Sequence, residues 1–290
     1  MSIANPIYDV VFKYLLDDEK IARRLLSALL GKEVLELTFV PTETRENVQP
    51  PDGTGILVLR MDFAATVKME DGSRKLVLIE IQKAHDTSDL DRFRRYLGTS
   101  YASQNNVYRD EDGKLRPLPI LTIYFLGQGL NGIDVPVIKI NRHYLDVATG
   151  DELQITDPFV EALTHDSIVI QMNRLRNRRR NELEKLLAVF DQGLASHTDP
   201  HLLDILEVNF PERYREVLRR LTQAYAEPGM RTKMDLEDEI LRAFQEYARE
   251  SADLRQAIPE KEKVIDEKDK VIDEKDRLIL ELTRRLGSGD

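Results

Sequence analysis

Residues 60–84 read RMDFAATVKMEDGSRKLVLIEIQKA, two runs of alternating letters joined by a polar Asp-Gly-Ser turn signal. In the second run the period of a strand puts Leu76, Leu78, Glu80 and Gln82 on one face and Val77, Ile79 and Ile81 on the other. A strand apolar on both faces belongs to a sheet covered by helices on both sides, which makes the chain an α/β protein. Glu80 then sits in a buried or cleft-lining position, where an ionised carboxylate is costly unless it is paired or holds a metal. Asp62 in the first run shares a face with Glu80 only in alternate registers. A two-residue Asp71-Gly72 turn puts it on the wrong face. A three-residue loop over residues 71–73 sets it opposite Gln82 and diagonal to Glu80, and a bulge would restore the same parity.

Outward from this pair, residues 5–31 read as helices, with Asn5 as N-cap, Pro6 at the first helical position and Gly31 as a stop. Asp9 and Lys13 share the polar face of the first helix. Residues 41–55, rich in Pro and Gly, read as loop. Residues 87–108 read as a helix carrying Arg92, Arg94 and Arg95 beside Phe93, Tyr96 and Tyr101. Residues 118–127 (LPILTIYFLG) and 135–142 read as further strands. A mixed sheet flanked by helices is therefore expected over 1–150, followed by a helical region over 151–226, a linker over 227–235 and a charged helix over 236–290. An amphipathic segment ends near Ile258. Beyond it KVIDEKD occurs twice in tandem, and Ile258, Ile265, Ile272, Ile279 and Leu286 fall seven apart. Lys261, Lys268 and Lys275 hold the companion seam positions, so a solvated charged helix competes with a coiled-coil homodimer.

The 290 residues are 41% hydrophobic and 32% charged, a globular rather than disordered composition. The absence of cysteine removes disulfides, Cys-ligated zinc, iron–sulfur clusters and thiol nucleophiles together. Neither a leader pattern nor an eighteen-residue apolar window is present, so a cytoplasmic location with no membrane partner is expected. The net charge of −10 argues against a binder of nucleic acid over its whole surface, yet NRLRNRRR (173–180) gathers five Arg locally. The five His residues show no metal spacing, and neither a phosphate loop nor a dinucleotide fingerprint is present.

Two carboxylates converging from neighbouring strands suit a hard divalent cation, which needs few protein oxygens and keeps waters elsewhere. Such an ion can polarise a phosphodiester. Gln82 can orient water or a phosphate by hydrogen bonds but brings no charge. Plainer readings compete at each position. Asp62 and Glu80 can pair with Arg60 or Arg95, Gln82 can be a bonded strand-end amide, and Asp9 with Lys13 has the spacing of a surface helix pair. Arg92, Arg95 and Tyr96 can follow a DNA backbone or lie on a solvated helix face.

Asp62 ending one strand, with Glu80-Ile81-Gln82 in the next, resembles the PD-(D/E)XK nuclease superfamily. The phrases YDVVFKYLL, RMDF, LIEIQKA, DRFRRYLGTSYASQ and LPILTIYFLG are similar to its branch of Rpn-type recombination-promoting nucleases and putative transposases, over roughly residues 5–130. The resemblance implies a restriction-endonuclease-like core and a DNA endonuclease dependent on Mg²⁺, or Mn²⁺ in its place. Asp62 and Glu80 match the metal-binding acids, Gln82 the place usually held by Lys, and Asp9 an additional acid on the first helix. Two departures stand out: Met61 replaces the usual Pro, and Gln82 removes a positive charge. Lys83 falls on the opposite face and Lys68 six residues from Asp62, so neither replaces it. The competing expectation is a nuclease-fold assembly protein, decayed in catalysis, that acts through its C-terminal helix.

Overall fold

A computed structural model describes residues 1–48, 55–83, 87–110, 112–155, 157–176 and 178–287. The side chains of 43–60 and 84–92 are outside it, Arg60, His85 and Arg92 among them. In chain order the elements are β1 (Ser2–Ala4), α1 (Asp9–Leu16), α2 (Glu19–Leu30), β2 (Val34–Phe39), β3 (Glu43–Val48), β4 (Gly55–Arg60), β5 (Phe63–Met69) and β6 (Arg74–Gln82). Then come α3 (Thr87–Ala102), β7 (Val107–Arg109), β8 (Leu115–Pro117), β9 (Ile120–Leu126), β10 (Val137–Ile140), α4 (Pro158–Leu163) and β11 (Asp166–Gln171). The chain closes with α5 (Glu182–Leu187), β12 (Leu202–Asp204), α6 (Arg215–Ala226) and α7 (Met230–Gly287), with short 3-10 turns between several of these.

Six strands form a mixed sheet in the order β10-β11-β9-β6-β5-β2. Strands β11, β9 and β6 run parallel, and the others are antiparallel to their neighbours. Leu76 through Ile81 are all buried, as a strand covered on both faces demands. Val77, Ile79 and Ile81 join α1, α2 and α6 in the larger core, while Leu76 and Leu78 join Phe93 and Tyr96 of α3 in a second cluster. The sheet is thus a middle layer between helices.

The hairpin register has the even parity that brings Asp62 to the face of Glu80, but by a different loop. Phe63 pairs with Ile79 and Lys68 with Arg74, and the N–H of Met69 donates to the Ser73 carbonyl at 2.9 Å. The loop residues are 70–72 rather than 71–73, with Gly72 at φ 80° supplying the left-handed turn position. Continued one step, the ladder sets Asp62 opposite Glu80 itself, not Gln82.

Several expectations are corrected. Asn5 is no helix cap; its Oδ1 accepts from the Ile7 N–H and its Nδ2 donates to Gln192 and the Pro200 carbonyl, and α1 starts at Asp9. Asp18, whose carboxylate accepts from the N–H groups of Lys20 and Ile21, caps α2, and Gly31 ends it at φ 69°. Residues 43–48 and 55–60 are paired strands instead of loop. The core does not end near 150: β11, inside the region expected to be helical, is an inner strand of the sheet, and β12 pairs with β1. One compact unit runs from Met1 to Met234 and the other covers 235–290. The expected linker over 227–235 shrinks to three residues, because α7 starts at Met230 and buries Met230 and Met234 in the core. Pro259 does not end this helix, which continues through it for 58 residues in all.

Candidate active site

The chain leaves the sheet just before β5, where the Met61 N–H turns away to donate to the Thr42 carbonyl. Antiparallel pairing therefore stops, and the next donor on β6 would have no backbone acceptor. Asp62 fills that gap: its Oδ2 accepts from the Ile81 N–H at 2.7 Å. The carboxylate is thereby held beside Glu80, the residue before Ile81, and only 11% of its side chain is exposed.

Glu80 is 4% exposed. Its neighbour in the parallel ladder is Tyr124 of β9, whose ring packs 4.5 Å from that of Phe93 on α3. Burial and the nearby Glu80 both push the Tyr124 phenol up, which keeps it neutral at any ordinary pH. An aromatic wall thus stands on one side of Glu80 and the Asp62 carboxylate on the other.

From α1, Asp9 and Lys13 close the group. Lys13 Nζ lies 2.7 Å from Asp9 and 3.5 Å from Asp62, so the helix pair does not simply face solvent but reaches the strand carboxylate. Burial pushes the Asp62 carboxyl well above its ordinary range, and the charges of Glu80 and Asp9 and a hydrogen bond with Asp9 push it the same way; Lys13 opposes them. The balance at Asp62 goes against its charged form, since Lys13 offsets only part of what burial and the neighbouring acids do.

That imbalance has a pH signature. The raised value means that Asp62 is tolerated without cost below the ordinary carboxylate pKa of 3.8 and opposes folding increasingly as pH rises toward its folded-state value. Asp62→Asn is therefore expected to melt above the wild type at pH 8 in EDTA, with the gap closing toward pH 4. Differential scanning calorimetry across that range checks it, and a gap independent of pH would mean that Asp62 ionises normally.

The other expected site residues separate. Gln82 follows Glu80 by one strand period on the same face, at the half-exposed end of β6, where its carbonyl accepts from the Gly127 N–H at 2.8 Å. A side chain on Gly127 would collide with the Lys83 carbonyl oxygen, so glycine lets β6 and β9 end together here. Arg94 and Arg95 are exposed on α3. Tyr96 is turned inward, 4% exposed, with its hydroxyl donating to the Pro41 carbonyl at 3.3 Å, so it packs α3 against the sheet instead of lying on the exposed helix face. The side chain of Arg92 lies outside the described residues. The ion pair found at Asp62 is with Lys13, not Arg95. Lys83 stacks its ammonium 3.6 Å from the centre of the Tyr8 ring, and Lys68 bonds Glu36. In the Arg run, Arg174 pairs with Asp134, Arg179 with Asp191 and Arg180 with Glu184, which leaves less free charge than the string of letters suggests.

Sequence reasoning missed the roles of Lys13 and Tyr124. Lys13 carried a signal, since it and Asp9 are the only charged residues of α1 and lie one helical turn apart. Tyr124 carried none, because its place beside Glu80 is set by the ladder between β6 and β9.

The donor chemistry fits a hard divalent cation. Asp62 and Glu80 offer oxygen only, and one or two carboxylates suffice for an ion that keeps several waters. Their present arrangement is not itself a coordination cage. Among the described residues no group of three or more Asp, Glu or His is arranged to hold a metal. Also among the described residues, no helix is long and apolar enough to cross a membrane. Compared with known proteins, the chain matches no family model, no curated protein and no solved structure.

Proposed function

We propose that this chain is a divalent-metal-dependent DNA endonuclease with a restriction-endonuclease-like core, similar to the PD-(D/E)XK nucleases. The observation that carries the reading is the seating of Asp62 on the Ile81 N–H, beside buried Glu80 and against Lys13 and Asp9. A buried acid whose carboxyl is pushed up by burial and by neighbouring acids, as at Asp62, marks a candidate functional site.

Asp62 and Glu80 would hold Mg²⁺, or Mn²⁺ in its place. When bound, such a cation supplies charge stabilisation to the oxygens of a phosphodiester and acidifies water. The chain's own residues do the remaining work. The Ile81 N–H fixes the Asp62 carboxylate, Phe93 and Tyr124 exclude water from one side of Glu80, and the Gln82 amide orients a water or a phosphate oxygen. Arg94 and Arg95 on the exposed side of α3 supply salt-sensitive contacts to a DNA backbone. Incubating the purified chain with supercoiled plasmid tests the reading: conversion to open circles is expected with Mg²⁺ or Mn²⁺ and not with EDTA. Intact plasmid under all divalent ions would overturn it.

One observation favours a second role alongside this one. Along α7 the apolar side chains of Val264, Ile265, Val271, Ile272, Leu278 and Ile279 are 49–61% exposed, more apolar surface than a helix fully content in water presents. A self-associating helix that joins two copies accounts for them, and a catalytically decayed assembly protein would use the same helix. Light scattering is expected to give a dimer mass for the full chain and a monomer mass for a chain ending at residue 234. Equal protomer numbers in both would reduce the helix to a spacer.

A further inference from the structure

We infer that Lys13 is a resident competitor of the divalent cation: its ammonium holds the place between Asp9 and Asp62 that a metal's charge would take, and metal binding requires Lys13 to leave. The inference rests on the metal-site reading of Asp62 and Glu80 and adds to it a device that regulates occupancy.

The geometry makes Lys13 a stand-in for a cation. It lies 2.7 Å from one carboxylate and 3.5 Å from another, and these belong to elements 53 residues apart in the chain whose charges repel. Removing the ammonium without a replacement would take from Asp62, 11% exposed, the cation it pairs with, while the charges of Asp9 and Glu80 still act on it. Asp62 is therefore favoured by a cation beside it, and Lys13 supplies one.

The same geometry makes Lys13 able to leave. Its side chain is 28% exposed, Asp9 beside it 35%, and its four-carbon stem swings without moving the backbone. Helix α1 is anchored independently by Val11, Phe12, Leu15 and Leu16, all buried in the larger core. Departure thus costs one ion-pair cluster and not the helix. A divalent ion arriving at Asp62 while Lys13 remains would meet a like charge a few Å away, so the two cations exclude each other. Position 82 bears on this device. A Lys there would add a positive charge near Glu80, which the neutral Gln82 amide does not.

Isothermal titration calorimetry with MnCl₂ on the full chain tests the inference, using wild type, Lys13→Met, Lys13→Gln, Lys13→Arg and Glu80→Gln. Met keeps the apolar stem and drops the charge, and Gln provides a second neutral variant should Met disturb packing. The neutral variants are expected to bind Mn²⁺ about tenfold or more tightly than wild type, the size expected on removing one like charge from a few Å away in partly screened surroundings. Lys13→Arg is expected to stay near wild type, because it retains the charge. If wild type binds Mn²⁺ and both neutral variants bind it equally or more weakly, the competition is wrong while the metal site stands. If neither wild type nor the neutral variants bind, or Glu80→Gln leaves binding unchanged, the metal-site reading itself fails.

Discussion

Glu80→Gln is expected to abolish divalent-dependent plasmid nicking while leaving the melting temperature in EDTA unchanged or higher. Glutamine keeps the length of the side chain and its place between Tyr124 and the end of β5, so the strand has no reason to move. What disappears is one negative charge beside a carboxyl that is already pushed up by Glu80, so the folded state is relieved. The loss of nicking should exceed the roughly 10- to 100-fold that follows loss of an outer-shell partner of a metal ligand, because here the ligand itself is neutralised. Gel densitometry of nicked circles against time measures the rate, and calorimetry on the same samples measures the stability. Equal nicking by wild type and variant would place the chemistry elsewhere in the molecule. A large drop in both readouts would show that Glu80 is structural.

Phe125→Ala is expected to cost about 3–5 kcal/mol of folding stability, the range for truncating a buried aromatic. Phe125 is fully buried near the C-terminal end of β9, with its ring 5.3 Å from that of Phe12 on α1 and 4.8 Å from that of Phe190. Phe12 and Phe190 are themselves 6.1 Å apart, so the three rings close a triangle beneath the sheet. Offset and tilted ring pairs of this kind add to the area they bury, and alanine would leave a void bounded by two other rings that cannot both move in. Phe125 is also the ladder partner of Ile81, whose N–H holds Asp62, so the void would open directly under the candidate site. Urea unfolding followed by circular dichroism gives the cost. Val147→Ala, at a residue 99% exposed, serves as the control and should change stability by less than about 0.5 kcal/mol. A Phe125→Ala cost near that of the control would mean that the aromatic triangle is not what fastens α1 to the sheet.

Much of the sheet was legible because period two is a strong signal when both faces are apolar. KLVLIEIQ and ILTIYFL could be little other than inner strands, and the parity argument for Asp62 and Glu80 needed only that one loop have an odd number of residues. The loop was misplaced by one residue, since Glu-Asp-Gly-Ser allows Gly to take the left-handed position with either neighbour counted in the turn. β11 escaped because SIVIQ is a short apolar run, which a buried helix segment mimics, and because the Arg- and Glu-rich text around it suggested a change of domain. β1 and β12 escaped because three residues are too few to show alternation, and each finds its partner some 200 positions away. Tyr96 was misjudged by the company it keeps. It stands three residues after Phe93, so both rings point into the core while the neighbouring Arg94 and Arg95 point out. Asp62 and Glu80 were found by their chemistry. Lys13 needed the ladder to end where it does, which no local pattern announces.

The pairing of β1 with β12 carries a consequence for the birth of the molecule on the ribosome. Ser2–Ala4 zips onto Leu202–Asp204, and the amino group of Met1 donates to the Ile205 carbonyl at 2.9 Å. Ser2–Ala4 therefore has nothing to pair with until residues 202–204 have been made, and closing so long a loop is slow.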